Sequence, residues 1–154
     1  MLDMARPEQG LDSEGQSALS GVRIDRMPIA HADARRTAVE IFSSPSITIR
    51  DSKVLMVNQP PEGTEAVIGG HWEKGIEIIY VQQGEMTVLR LVDINTGEQA
   101  RHEHLSEGTR IILPPGIAHQ FRFTGQATLM IFNEVPFTPE KLVIYPTWAQ
   151  ESKS

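Results

Sequence analysis

The sequence predicts an all-β fold, a sandwich or barrel of short strands in a single domain. Short runs rich in Val, Ile, Leu and Phe recur along the chain, each bounded by Gly, Pro, Asn or Ser clusters, which is how strands closed by turns read. The turns are regularly spaced, as in sheets that fold back on themselves. At 154 residues one domain can bury most of its apolar surface without cross-links.

In chain order, residues 1–20 are rich in Gly, Ser, Glu and Gln and predict a mobile N-terminal arm. The β body is expected over 21–148 and a short C-terminal tail over 149–154. Asp33–Phe42 reads two ways: Ala34, Ala38, Ile41 and Phe42 have helical spacing with Asp33 as N-cap, while Thr37, Val39 and Ile41 alternate as in a strand. Ser46–Arg50 and Val54–Val57 are strands before a loop at Pro60-Pro61-Glu62-Gly63. Ile76–Val81 and Met86–Val92 flank Gln83-Gly84-Glu85, which reads as a hairpin-like break. Turns at Asn95-Thr96-Gly97 and Ser106-Glu107-Gly108 enclose a strand through Arg101–Leu105. Arg110–Leu113, Ala118–Phe123 and Ala127–Phe132 follow, separated by Pro114-Pro115-Gly116 and Thr124-Gly125.

Composition excludes several functions. There is no cysteine, so disulfides and thiolate chemistry are absent and a metal would sit on nitrogen and oxygen. The formal charge of −6 argues against a nucleic-acid partner, which calls for clustered Lys and Arg. No apolar run approaches the ~20 residues of a membrane span, and the polar start is unlike a signal region. The expectation is a soluble cytoplasmic protein with a small-molecule substrate.

Residues 71–84 and 108–119 concentrate the chemistry. His71-Trp72-Glu73-Lys74-Gly75-Ile76-Glu77 is followed six residues later by Gly84, and Gly108 leads to Pro114-Pro115-Gly116-Ile117-Ala118-His119. Strand alternation turns His71 and Glu73 the same way, puts Glu77 on the face of Ile79 and Val81, and groups His119 with Phe121 and Phe123. A buried ionisable group costs several kcal/mol unless it is paired or liganded, so two imidazoles and two carboxylates in such strands point to a site.

These stretches resemble the cupin superfamily, whose motifs run Gly-x5-His-x-His-x(3,4)-Glu-x6-Gly and Gly-x5-Pro-x-Gly-x2-His-x3-Asn. Gly108, Pro114, Gly116 and His119 match the second without a gap, and His71, Glu77 and Gly84 match the first. Glu73 stands where the family has its second His, Phe123 replaces the closing Asn, and the leading Gly of the first motif is out of register. Over roughly residues 20–148, Asp33–Phe42, Ile68-Gly69-Gly70-His71-Trp72 and Ile131–Lys141 look like cupins acting on nucleotide-linked deoxysugars. That group includes 3,4-ketoisomerases, 3,5-epimerase relatives and the cupin domain of capsular-polysaccharide enzymes. Its motif often reads Arg-Gly-x-His-x-His, and here Ile68 replaces the Arg. The resemblance implies a single-domain cupin jelly-roll barrel whose histidines move protons beside a keto-sugar carbonyl. Barrels of this kind pair across exposed edges, so a homodimer is expected.

Two uses of the cluster stay open. In one, His71, Glu73, Glu77 and His119 ligate a divalent Fe, Mn, Ni or Zn ion. In the other no metal takes part, and His71 or Glu73 removes a proton alpha to a carbonyl. The leading expectation is an isomerase or epimerase of a keto-sugar. The alternatives are a metal-dependent oxygenase or lyase on a small organic acid, and a barrel that binds a ligand without turnover. Bland readings exist for each residue: a core histidine bonded to backbone for His71 and His119, an exposed charged bend for Glu73 and Glu77. His102-Glu103-His104 imitates a ligand cluster, but its flanking Arg101 and Glu107 suggest solvent. Arg110, Gln120 and Arg122 are expected at the surface.

Overall fold

The computed structural model describes residues 19–42 and 46–136, and the backbone of 143 and 144. Residues 1–18 of the expected arm over 1–20, and the tail over 149–154, lie outside the described residues. Every regular element among those described is a strand: β1 (Arg23–Arg26), β2 (Ile29–Ala32), β3 (Thr37–Val39), β4 (Asp51–Val57), β5 (Ala66–Trp72), β6 (Glu77–Asp93), β7 (Gln99–Ser106), β8 (Thr109–Leu113), β9 (Ile117–Phe123), β10 (Ala127–Asn133) and β11 (Val143–Ile144). No helix of the described residues is long and apolar enough to cross a membrane.

β6 organises the barrel. Its first half pairs antiparallel with β8 and β10, giving a sheet in the order β1-β8-β6-β10-β4. Its second half pairs with β7 and β9, giving β7-β6-β9-β5-β11. The expected break at Gln83-Gly84-Glu85 is therefore a crossing point, not a hairpin, and a single strand passes from one sheet to the other. Gly84 permits it. Its φ is +82°, and a Cβ there would lie 2.3 Å from the Gln126 carbonyl oxygen, so only glycine lets β6 bend this close to the start of β10. A register shift between Thr128 and Leu129 marks the same bend.

The core forms where the two sheets face. Along β10, Ala127, Leu129, Ile131 and Asn133 are buried and the residues between them only partly so, the period of two that a half-covered strand requires. β8 repeats the pattern with Thr109, Ile111 and Leu113. The apolar ones among them meet Ile79, Val81, Leu89, Leu91, Phe121 and Phe123 in one cluster. Each fully buried large apolar side chain contributes about 1.5–3 kcal/mol. Leu19 is 2% exposed and belongs to this core, so packing begins two residues ahead of the expected boundary.

The ambiguous segment resolves as a hairpin of β2 and β3. Asp33 Oδ1 accepts hydrogen bonds from the backbone N–H of Arg35 and Arg36, closing a turn rather than capping a helix. The chain then crosses the outside of the first sheet, where Phe42 meets Phe132 edge to face at 5.1 Å. Arg110, expected at the surface, is half-covered there, donating to the Ile41 carbonyl and to Asp25 Oδ2, each at 2.9 Å. Ser46–Arg50 is not a strand; that edge begins at Asp51.

Candidate active site

A bulge aims His71 into the barrel. β5 runs antiparallel to β9, with Ile68 opposite Phe121 and Gly69 opposite Gln120, and then His71 opposite His119. Gly70 is the extra residue, and both glycines have positive φ, +99° and +88°. Simple alternation from Ile68 would turn residue 70 inward and residue 71 outward. The inserted glycine reverses that, so His71 joins His119 on the inner face, their rings 4.7 Å apart and nearly perpendicular. Trp72 turns outward onto Val92 and Ala118.

The other members arrive from three elements. Glu73 lies in the bend after β5, which backbone and side-chain hydrogen bonds fix: Gly116 N–H donates to the Glu73 carbonyl, Ile76 N–H to Glu134 Oε1, and Glu134 N–H to the Ile76 carbonyl. Glu77 opens β6, opposite Leu113 on one side and Asn133 on the other. His119 shares the inner face of β9 with Phe121, which stacks on its ring at 5.2 Å.

The result is two acid–base pairs joined by an amide. His119 Nε2 stands 3.1 Å from Glu77 Oε1, and these side chains are 2% and 5% exposed. His71 Nε2 stands 3.7 Å from Glu73 Oε2, at 19% and 12% exposure. The first pair is buried; the second is partly exposed. Asn133 Nδ2 donates to Glu73 Oε1 at 3.1 Å and to Glu77 Oε2 at 3.2 Å.

Burial pushes the Glu77 carboxyl up. The His119 charge and hydrogen bond, the Asn133 hydrogen bond and the His71 charge outweigh it and take the pKa from 4.5 to about 2. Burial likewise pushes His119 down, but the Glu77 charge and hydrogen bond, the Ile117 carbonyl and the Glu73 charge raise it above its ordinary value. Both shifts favour the charged forms, imidazolium and carboxylate, over the neutral ones. His119 Nδ1 faces the Ile117 carbonyl at 3.2 Å, which holds the ring orientation.

All four expected site residues, His71, Glu73, Glu77 and His119, come together in this cluster. They meet as paired acids and bases, and among the described residues no group of three or more His, Asp or Glu is placed to hold a metal ion. Asn133 and Glu134 were not anticipated as site residues. Asn133 had a signal, a polar residue ending the inward row Ala127, Leu129, Ile131. Phe123, at the position of the missing motif Asn, is fully buried in the core.

The triplet on β7 does not converge. His102 is buried opposite Leu89, contrary to the solvent expectation, because it falls on the inner side of the strand. Glu103 pairs with Arg101, and His104 is exposed, at φ +59°, 3.4 Å from Glu85. Gln120, also expected outside, is fully buried, its Oε1 accepting from Arg90 and Arg122.

Residues 41–141, well over half the chain, match the cupin family. The chain belongs to the cupin family. Its sheets are the jelly roll of that family. Solved cupins share the fold at low identity. The dTDP-6-deoxy-D-glucose-3,5-epimerase of Legionella pneumophila, in complex with dTDP-4-keto-L-rhamnose, is 17% identical, with a TM-score of 0.67 over 84% of this chain and 74% of that one. The 3'-monoepimerase of Streptomyces bikiniensis, in complex with dTDP-quinovose, is 18% identical, with a TM-score of 0.67 over 82% and 70%. The dTDP-4-dehydrorhamnose 3,5-epimerase of Sulfolobus tokodaii is 18% identical, with a TM-score of 0.67 over 84% and 79%. No curated protein shows significant sequence similarity to the chain.

Proposed function

We propose that this cupin is an isomerase or epimerase of a keto-sugar, with a nucleotide-linked 4-keto-6-deoxysugar as its substrate class. The observation that carries the reading is the partly exposed His71–Glu73 dyad, backed by the buried His119–Glu77 pair. Proton abstraction alpha to a carbonyl needs a base held in place and a fixed positive charge near the developing enolate. His71, with the Glu73 carboxylate 3.7 Å from its Nε2, is the base. The His119 imidazolium lends its charge from behind, and the apolar wall of Phe121 limits water. The fold shared with epimerases solved with dTDP-sugars supports the substrate class.

The reading uses the two acid–base pairs as they stand, and no step is routed through a metal. Metal ligation by the same side chains makes the opposite prediction for chelation, and the two are tested together. The protein is incubated in heavy water with 4-keto-6-deoxy sugars linked to dTDP, UDP and GDP, with and without EDTA, and followed by NMR. Deuterium should appear at a carbon beside the carbonyl, survive EDTA, and disappear in His71→Asn. No incorporation from any of the three sugars overturns the reading. Loss with EDTA, restored by one divalent ion, returns the cluster to a metal role.

A further inference from the structure

We propose that Asn133 is the positioning residue of this site, a single amide that holds the Glu73 and Glu77 carboxylates together and couples the outer dyad to the inner pair. The inference rests on reading the cluster as an acid–base centre, and it adds a residue that neither cupin motif contains.

The geometry leaves Asn133 little choice. It ends β10 on the inner face, 1% exposed, opposite Glu77 on one neighbouring strand and Asp51 on the other. The Arg50 N–H holds its carbonyl at 2.9 Å. Its two amide hydrogens go to two carboxylates from different elements. Like charges sharing a buried space repel, and two charge-assisted hydrogen bonds from one rigid group offset that repulsion while setting the spacing.

The amide's other end argues for the same role. Asn133 Oδ1 is buried without a hydrogen-bond partner among the described residues. An orphaned buried acceptor costs about 1–3 kcal/mol, so stability alone would not choose this arrangement. Turned over, the amide would press its oxygen against both carboxylates, so the orphan is the consequence of serving them. Asp would add a third carboxyl, Leu would remove both donors, and Gln would move them by a methylene. Glu73 sits in a bend rather than a strand, so it depends most on this clamp, and His71 depends on Glu73.

Two measurements test the proposal. The first needs no substrate. The Asn133 side-chain amide protons are assigned by NMR in the wild-type protein, Glu73→Gln and Glu77→Gln. Each substitution should shift one of the two protons and leave the other nearly in place; if neither moves, or both move alike, the clamp is wrong. The second follows deuterium exchange in Asn133→Leu and Asn133→Asp beside their melting curves. A displaced base should lower kcat about 100-fold, with KM changed less than about threefold, in variants that remain folded. Unchanged kcat in a folded Asn133→Leu overturns the positioning role. Absence of exchange in the wild-type protein itself would instead count against the keto-sugar reading, while the amide shifts would still decide the clamp.

Discussion

Replacing Glu77 by Gln keeps the shape of the side chain and removes one buried charge. The folded protein holds the Glu77 carboxyl at about 2, against 4.5 when free. One pKa unit is worth about 1.4 kcal/mol, so ionisation of Glu77 contributes about 3 kcal/mol to folding. The side chain is 5% exposed, so solvent screens little of this. A depressed carboxyl pKa gives stability that is present above about pH 4.5 and lost as the pH falls toward 2. His119 moves the other way. Its raised pKa gives stability that is present below its ordinary value of 6.5 and lost as the pH rises past the folded value. Both shifts describe one interaction and are not added. Stability should therefore be greatest between about pH 4.5 and 6.5. Glu77→Gln should lose up to about 3 kcal/mol on that plateau, with less lost at pH 3 and pH 8.5. Urea unfolding followed by circular dichroism at pH 3, 5.5 and 8.5 measures the difference. Parallel profiles for the two proteins, or a variant more stable at pH 5.5, would refute the ion pair.

Three further substitutions address the scaffold. Gly69→Ala forces a positive φ on alanine and places a Cβ 2.8 Å from the His119 carbonyl oxygen; a loss of about 2–4 kcal/mol is expected in urea unfolding, together with impaired deuterium exchange. Gly84→Ala meets backbone at 2.3 Å where β6 changes sheets, and its melting temperature should fall at least as far; a melt within 2 °C of wild type would show that β10 gives way easily. Arg110→Met removes the hydrogen bonds to Asp25 and the Ile41 carbonyl and should cost about 1–3 kcal/mol, with exchange unchanged because Arg110 lies on the outer side of β8.

Alternation and turn chemistry located most of the strands and the inward face of β9, because a sheet with one buried face writes a period of two into its sequence. The same rule placed Glu77 with Ile79 and His119 with Phe121. It failed where backbone irregularity changes the count. The bulge at Gly69-Gly70 aims His71 inward, and no periodicity contains that inserted residue. Gly84 looked like a turn because a glycine in a hairpin and a glycine at a strand crossing read alike. Gln120 and Arg110 looked exposed because polar residues between apolar ones usually face water, whereas here neighbouring chain covers them.

By itself, then, the sequence determined the β class, the two chemical segments and the four ionisable side chains they carry. Those follow from local rules of spacing and side-chain type. Only the tertiary structure decided their pairing: His119 with Glu77 inside, His71 with Glu73 nearer solvent, and Asn133 between the two acids. Pairing depends on strand register across elements as much as 60 residues apart in the chain, and register is a property of the assembled sheets that no single segment holds.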